Sequence, residues 1–242
     1  MIRAGLWGLV GGSALVVGAL VGALTRLPDR LAAWVMAFGA GTLISALAFD
    51  LTEEAFERGG LDAVALGMAI GSVAFFGGNA FINRMGGHDR KSMQGQEEEG
   101  SAWALMLGAV LDGIPESLVI GASLLAGKGV AVPVVVAVFL SNIPEALSSS
   151  RGFKRDGRPM GFTVGVWVIV AVVSGVAAAV GYLALRGVAG QAIAVVQAVA
   201  AGAIITMLAD TMIPEAYRVA RQAVGLWTAL GFAVAFFLST LE

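Results

Sequence analysis

The sequence has no cysteine and a single histidine, His88. Disulfides, thiolate metal sites, cysteine nucleophiles and any metal centre made of several imidazoles are therefore excluded. Charge is scarce as well. Asp, Glu, Lys and Arg make up 13% of the 242 residues, against about a quarter in soluble domains. A chain this poor in charge cannot cover a water-facing surface. Its formal charge of −2 offers no basic footprint, so no nucleic-acid partner is expected. There are only six prolines, few enough that the place of each one matters.

What fills the chain instead is apolar: 58% hydrophobic residues and a mean hydropathy of +0.86. Several uninterrupted stretches approach or exceed the roughly 20 residues that cross a bilayer as helix. The pattern predicts an all-α polytopic membrane protein, with residues 1–242 as one transmembrane domain and no enzyme chemistry. Eight transmembrane helices are expected, at 4–25, 32–52, 61–82, 102–126, 130–150, 161–185, 191–213 and 224–241, with a longer cytoplasmic loop at 83–101. The opening Met1-Ile2-Arg3 leads into the first apolar run without a small-residue cleavage site, so that run reads as a span and not as a removable signal. Thirty-four glycines suit helix backbones in close approach, and the small-residue faces permit a homodimer. The compact chain points to a bacterial inner membrane.

The basic residues orient these spans. With the N-terminus outside, the cytoplasmic ends and loops hold Arg26, Arg30, Arg84, Arg90, Lys91, Arg151, Lys154, Arg155, Arg158, Arg218 and Arg221. The outer side holds Arg3, Arg58, Lys128 and Arg186. Eleven against four follows the positive-inside rule, and both termini are expected outside.

The chain also repeats itself. Residues 36–56 and 197–217 align without gaps at eight identities in 21 positions, among them Ala40-Gly41 with Ala201-Gly202 and Glu54-Ala55 with Glu215-Ala216. These are the expected second and seventh spans, which cross in opposite directions. GIPESL at 113–118 and NIPEAL at 142–147 relate the fourth and fifth spans in the same way. Chance similarity among Ala/Gly/Leu-rich helices explains the alanines. It explains much less easily three Ile-Pro-Glu triplets among six prolines. Similar segments of opposite direction are the mark of an inverted-repeat transporter.

Charges inside spans are costly, about 2.5–3.5 kcal/mol each at a helix centre on insertion scales. Here they are patterned. Asp112 and Glu116 lie four apart on one face of the fourth span, and Ser141 and Glu145 repeat that spacing in the fifth, with Asn142 alongside. No lysine or arginine falls within these two spans. Either the acids are protonated and hydrogen-bonded between helices, or a cation visits them. Pro115 and Pro144 each precede a glutamate and free the carbonyl four residues back, at Leu111 and Leu140. A freed carbonyl in hydrocarbon needs water, a side chain or an ion. Two carbonyls, three carboxylates, an amide and a hydroxyl converging at one depth would make an all-oxygen cation site.

The runs LDGIPESLVIGASL and LSNIPEAL, with MLADTMIPEA closing the seventh span, resemble the ZIP (zinc/iron permease-like) metal transporters. The resemblance implies eight spans with both ends outside, a variable loop between the third and fourth, and a metal site built from the fourth and fifth. The family's fourth span typically reads His-Asn-x-Pro-Glu-Gly; Asp112, Gly113, Ile114, Pro115, Glu116 and Ser117 stand there. In the fifth span Ser141 takes a histidine position, Asn142 the next, and Glu145 the ligand one turn on. Residues 161–185 contain no acid, so the second metal position of some members is not expected. With both histidines replaced by oxygen ligands, the site should favour manganese or another harder divalent ion over zinc, with iron also among the candidate substrates. Met36, Met106 and Met207 read as packing residues.

The resemblance thus implies a divalent metal cation as transported substrate, moved towards the cytoplasm by alternating access, with the lipid bilayer as the other partner and no organic cofactor. Asp50, Glu53, Glu54 and Glu57 at the outer end of the second span could concentrate cations at a mouth, or simply form a solvated helix end. Glu215 could mark an exit, or pair with Arg218 or Arg221. Asp210, on one face with Thr206, could support the core site. His88 and the three glutamates at 97–99 read as solvated loop. Two other readings keep the same scaffold: a metal sensor or regulator without flux, and a monovalent-cation or proton transporter. An intramembrane hydrolase would need a His-Glu-x-x-His helix or a base near Ser141 or Ser148, and no span contains histidine.

Overall fold

The computed structural model describes residues 1–25, 27–87, 102–126 and 131–240. These residues are helical almost throughout and contain no strand. The helices are α1 (Ile2–Leu24), α2 (Asp29–Ser45), α3 (Glu53–Ile82), α4 (Ala102–Ser123), α5 (Val132–Arg155), α6 (Met160–Leu185), α7 (Gly190–Met207), α8 (Ile213–Ala220) and α9 (Ala223–Ser239). Six helical runs are long and apolar enough to cross a membrane: Ile2–Leu24, Asp29–Gly87, Met106–Ser123, Val132–Arg155, Met160–Leu185 and Gly190–Ala220. The apolar α9 is shorter.

Asp29–Gly87 joins two of the expected spans, because α2 passes through a π-helical turn at Ala46–Thr52 straight into α3. Between its two arms the run is broken at Gly60, where φ is 72° and ψ −175°. That region is essentially reserved for glycine, so one residue does the work of a loop. The expected loop at 83–101 begins as a further π-helical turn at Asn83–Gly87, with Gly86 at φ 88°. His88 and the three glutamates at 97–99 lie outside the described residues. The expected seventh span at 191–213 runs longer, as Gly190–Ala220. Pro214 falls where the π-helical turn passes into α8.

The internal repeat has a structural counterpart. The π-helical turns at Ala46–Thr52 and Leu208–Met212 occupy matched positions of the aligned segments. A π turn is rare and marks a particular local geometry, so its recurrence there is not explained by shared alanines. Helix neighbours follow the same relation. α1 packs on α5 as α6 packs on α4, α2 packs on α9 as α7 packs on α3, α2 meets α5 as α7 meets α4, and α1 and α6 pack on each other. Exchanging α1 with α6, α2 with α7, α3 with α9 and α4 with α5 therefore maps these contacts onto themselves.

Glycines make these seams. A β-carbon at Gly22 of α1 would stand 2.6 Å from the Leu147 carbonyl of α5, and one at Gly18 would collide with the Ile143 carbonyl. The order of contacts shows α1 and α5 running parallel, whereas Gly5, Gly8 and Gly12 meet α6 in descending order, antiparallel. Gly41 faces the Thr228 carbonyl of α9, and its repeat partner Gly202 faces the Met68 carbonyl of α3. Around the α2–α9 seam, Trp34 stacks on Trp227 with ring centres 5.6 Å apart.

Candidate cation site

Asp112 and Glu116 on α4, and Glu145 on α5, are 1%, 1% and 3% exposed, and Ser141 and Asn142 are equally enclosed. Pro115 and Pro144 both lie inside their helices. The sequence thus buries five oxygen-bearing side chains on two interrupted helices that touch each other over only a short stretch. α1 fills part of the gap: Gly11 sits against Ile120 of α4 and Val138 of α5. The Gly11 carbonyl accepts a hydrogen bond from Asn142 Nδ2 at 3.1 Å, which aims the amide oxygen of Asn142 elsewhere. Ser141 Oγ donates to the Val138 carbonyl at 2.9 Å, so its lone pairs stay available to accept or to coordinate.

Among the described residues, no group of three or more His, Cys, Asp or Glu side chains is gathered as a metal ion would require. Asp112, Glu116 and Glu145 share burial without forming such a triad. The Leu140 carbonyl, freed by Pro144, faces α2: a β-carbon on Gly39 would lie 3.3 Å from it, beside Ser141 Cα and Pro144 Cγ. Gly113, next to Asp112, turns towards Ser174 of α6.

The outlying acids differ in how they are held. Glu54 accepts from Arg58 one turn on and from Gln197 Nε2 of α7 at 2.7 Å, so it ties α3 to α7. Its repeat partner Glu215 is 4% exposed and bonded to Arg218, with Arg218 Nε at 2.9 Å. Both copies therefore carry the same device, a glutamate held by an arginine one turn later. Glu53 and Glu57 are exposed and Asp50 is half-buried. Asp210 lies on the exposed side of its π turn, between buried Leu208 and Met212. Thr206 Oγ1 donates within its own helix, to the Gly202 carbonyl.

The polar lining of α5 extends beyond the Pro-Glu motif. Ser148, Ser149 and Ser150 are all buried, and Ser141, Glu145, Ser148 and Gly152 follow one helical face towards the end of the helix. Thr42 of α2 adds a buried hydroxyl against the Ala137 carbonyl of α5, and Gln197 a buried amide on α7. The run of three serines inside an apolar span was the available sequence signal. Another cluster escaped it: Asp29 bridges Arg151 and Arg155 at the end of α5.

No protein-family model matches the chain, and no curated protein matches it.

Proposed function

We propose that the protein is a ZIP-like transporter that moves a divalent metal cation towards the cytoplasm by alternating access, binding it to oxygens of Asp112, Glu116, Ser141, Asn142 and Glu145. The observation that carries this reading is the burial of three carboxylates beside prolines on α4 and α5, the two helices that the internal repeat relates to each other. Acids at such depth mark ion or proton pathways far more often than packing. Counting the two arms of Asp29–Gly87 separately and adding α9 gives eight crossings, and the parallel and antiparallel seams agree with that alternation. Both termini then lie on one side, which the arginines and lysines assign to the outside. Opposed repeats supply two equivalent ways of packing around one site. Because the carboxylates do not form a triad, the cation draws α4 and α5 ligands together as it binds.

The lack of such a triad among the described residues also favours a second reading, proton or monovalent-cation transport, since a proton needs only one acid at a time. Uptake into proteoliposomes from an equimolar mixture of manganese, iron(II), zinc, cadmium, magnesium and calcium decides between them. Divalent accumulation that falls at least tenfold in Glu116→Gln and Glu145→Gln proteins of unchanged melting temperature supports the first. Accumulation untouched by both substitutions removes the site. Acidification by an imposed gradient, without divalent uptake, leaves the second reading standing alone. Saturable metal binding without flux of any ion would make the chain a sensor.

A further inference from the structure

Where the end of α1, the start of α2 and the last turns of α5 meet, a cavity of about 260 Å³ is lined by Gly22, Thr25, Leu27, Arg151, Lys154 and Arg155. Among the described residues its walls hold three cations and no carboxylate. Asp29 pairs with both Arg151 and Arg155. Lys154 Nζ donates to the Ala23 carbonyl at 2.7 Å, which places the ammonium without neutralising it. Cations in the last turn of a helix complement its dipole, and this accounts for Lys154 and Arg155 in part. It does not account for Arg151. That side chain is 12% exposed, and its Nη1 is buried with no hydrogen-bond partner. A buried guanidinium N–H without an acceptor is unfavourable, so Arg151 offers the cavity a donor that lacks an acceptor oxygen.

We propose that this cavity binds an anionic phosphate group. A phosphate complements the Arg151 donor and the Lys154 ammonium, offers several acceptor oxygens to both at once, and fits the volume. The location is also right for a lipid. The site lies where two apolar helices, Ile2–Leu24 and Val132–Arg155, give way to charged residues, at the depth of headgroups, and basic pockets between spanning helices there take anionic ones. The headgroup of an anionic phospholipid and free inorganic phosphate share this chemistry.

The test uses the full chain, purified and stripped of lipid in detergent. Native mass spectrometry during titration with phosphatidylglycerol and with phosphatidylcholine of the same acyl chains reads lipid binding. Phosphorus NMR line broadening reads inorganic phosphate. The expected result is at least tenfold tighter retention of phosphatidylglycerol, weakened about tenfold by Lys154→Gln and by Arg151→Gln. Phosphate binding with the same sensitivity, and no preference between the lipids, assigns the soluble source. Equal retention of both lipids with no phosphate binding overturns the proposal, as does anion binding unchanged in both variants. Should Arg151→Gln not fold, Lys154→Gln carries the comparison, because it leaves the Asp29 pairs intact.

Discussion

Replacing Gly41 by alanine forces a β-carbon into the Thr228 carbonyl of α9, and replacing Gly202 forces one into the Met68 carbonyl of α3. Carbon atoms in good contact stand roughly 3.5–4 Å apart, and a gap of 0.5–1 Å forfeits a quarter to a half of their attraction. Neither obstruction is a side chain that can rotate away, so each seam must open as a whole. Overpacking of this kind costs about 1–3 kcal/mol, and the positions are repeat partners, so the two costs should agree within about 1 kcal/mol. Gly77 of α3 is the control: nothing lies within 4 Å of its β-position, and alanine there should stabilise by up to about 1 kcal/mol through helix propensity. Melting of the purified protein followed by intrinsic tryptophan fluorescence compares all three. Gly41→Ala and Gly202→Ala should both melt well below the parent, and Gly77→Ala at or above it. If Gly41→Ala melts low while Gly202→Ala behaves like Gly77→Ala, the structural equivalence of α2–α9 and α7–α3 is wrong.

Pro144→Ala returns an N–H to the Leu140 carbonyl and removes a residue unfavourable in a helix by about 3 kcal/mol. The variant should therefore melt higher while taking up at least tenfold less metal; undiminished uptake would reduce the kink to a packing feature. Arg218→Met leaves the buried Glu215 without its guanidinium. Arg218 itself is 45% exposed, so the loss should stay near 1–3 kcal/mol and below the cost for a fully buried pair. The double variant Glu215→Gln/Arg218→Met should recover more than half of it in the same melting assay, and additive losses would rule the pair out as a coupled unit.

The helical class and most span positions are legible in the sequence because length and hydropathy determine both. The join at Asp29–Gly87 is not, since the charged residues at 53–58 read as a break between spans, whereas they are helical and the chain departs from helix at Gly60. Pairing of Glu54 with Arg58 and of Glu215 with Arg218 follows from helical spacing. The bond from Gln197 to Glu54 depends on a contact between distant helices and has no such signature. At the Pro-Glu motifs the sequence identifies which carbonyls are freed but not what they face. Leu140 faces Gly39 of α2 because glycine there lets the two helices close. The buried serines at 148–150 are easily passed over for a related reason. Ser149 Oγ donates to the Glu145 carbonyl of its own helix, and a hydroxyl satisfied in this way is buried without any partner visible in sequence.

Asp210 tests whether the π turn of the second repeat borders water or lipid. Its repeat partner is Phe49, which is exposed and packs on Phe236 with ring centres 4.8 Å apart. One copy thus turns an aromatic ring outward where the other turns a carboxylate. In lipid the carboxylate would cost about 2.5–3.5 kcal/mol on insertion scales, whereas on the wall of an aqueous cavity it would cost little and attract cations. The chain contains no cysteine, so Asp210→Cys introduces the sole thiol and needs no prior engineering. A membrane-impermeant maleimide added to proteoliposomes should label it, with Val172→Cys on the exposed face of α6 as the lipid-facing control that stays unlabelled. A divalent ion that enters by this cavity should slow the labelling of Asp210→Cys in proportion to its occupancy. Labelling equal to that of the control would place Asp210 in lipid.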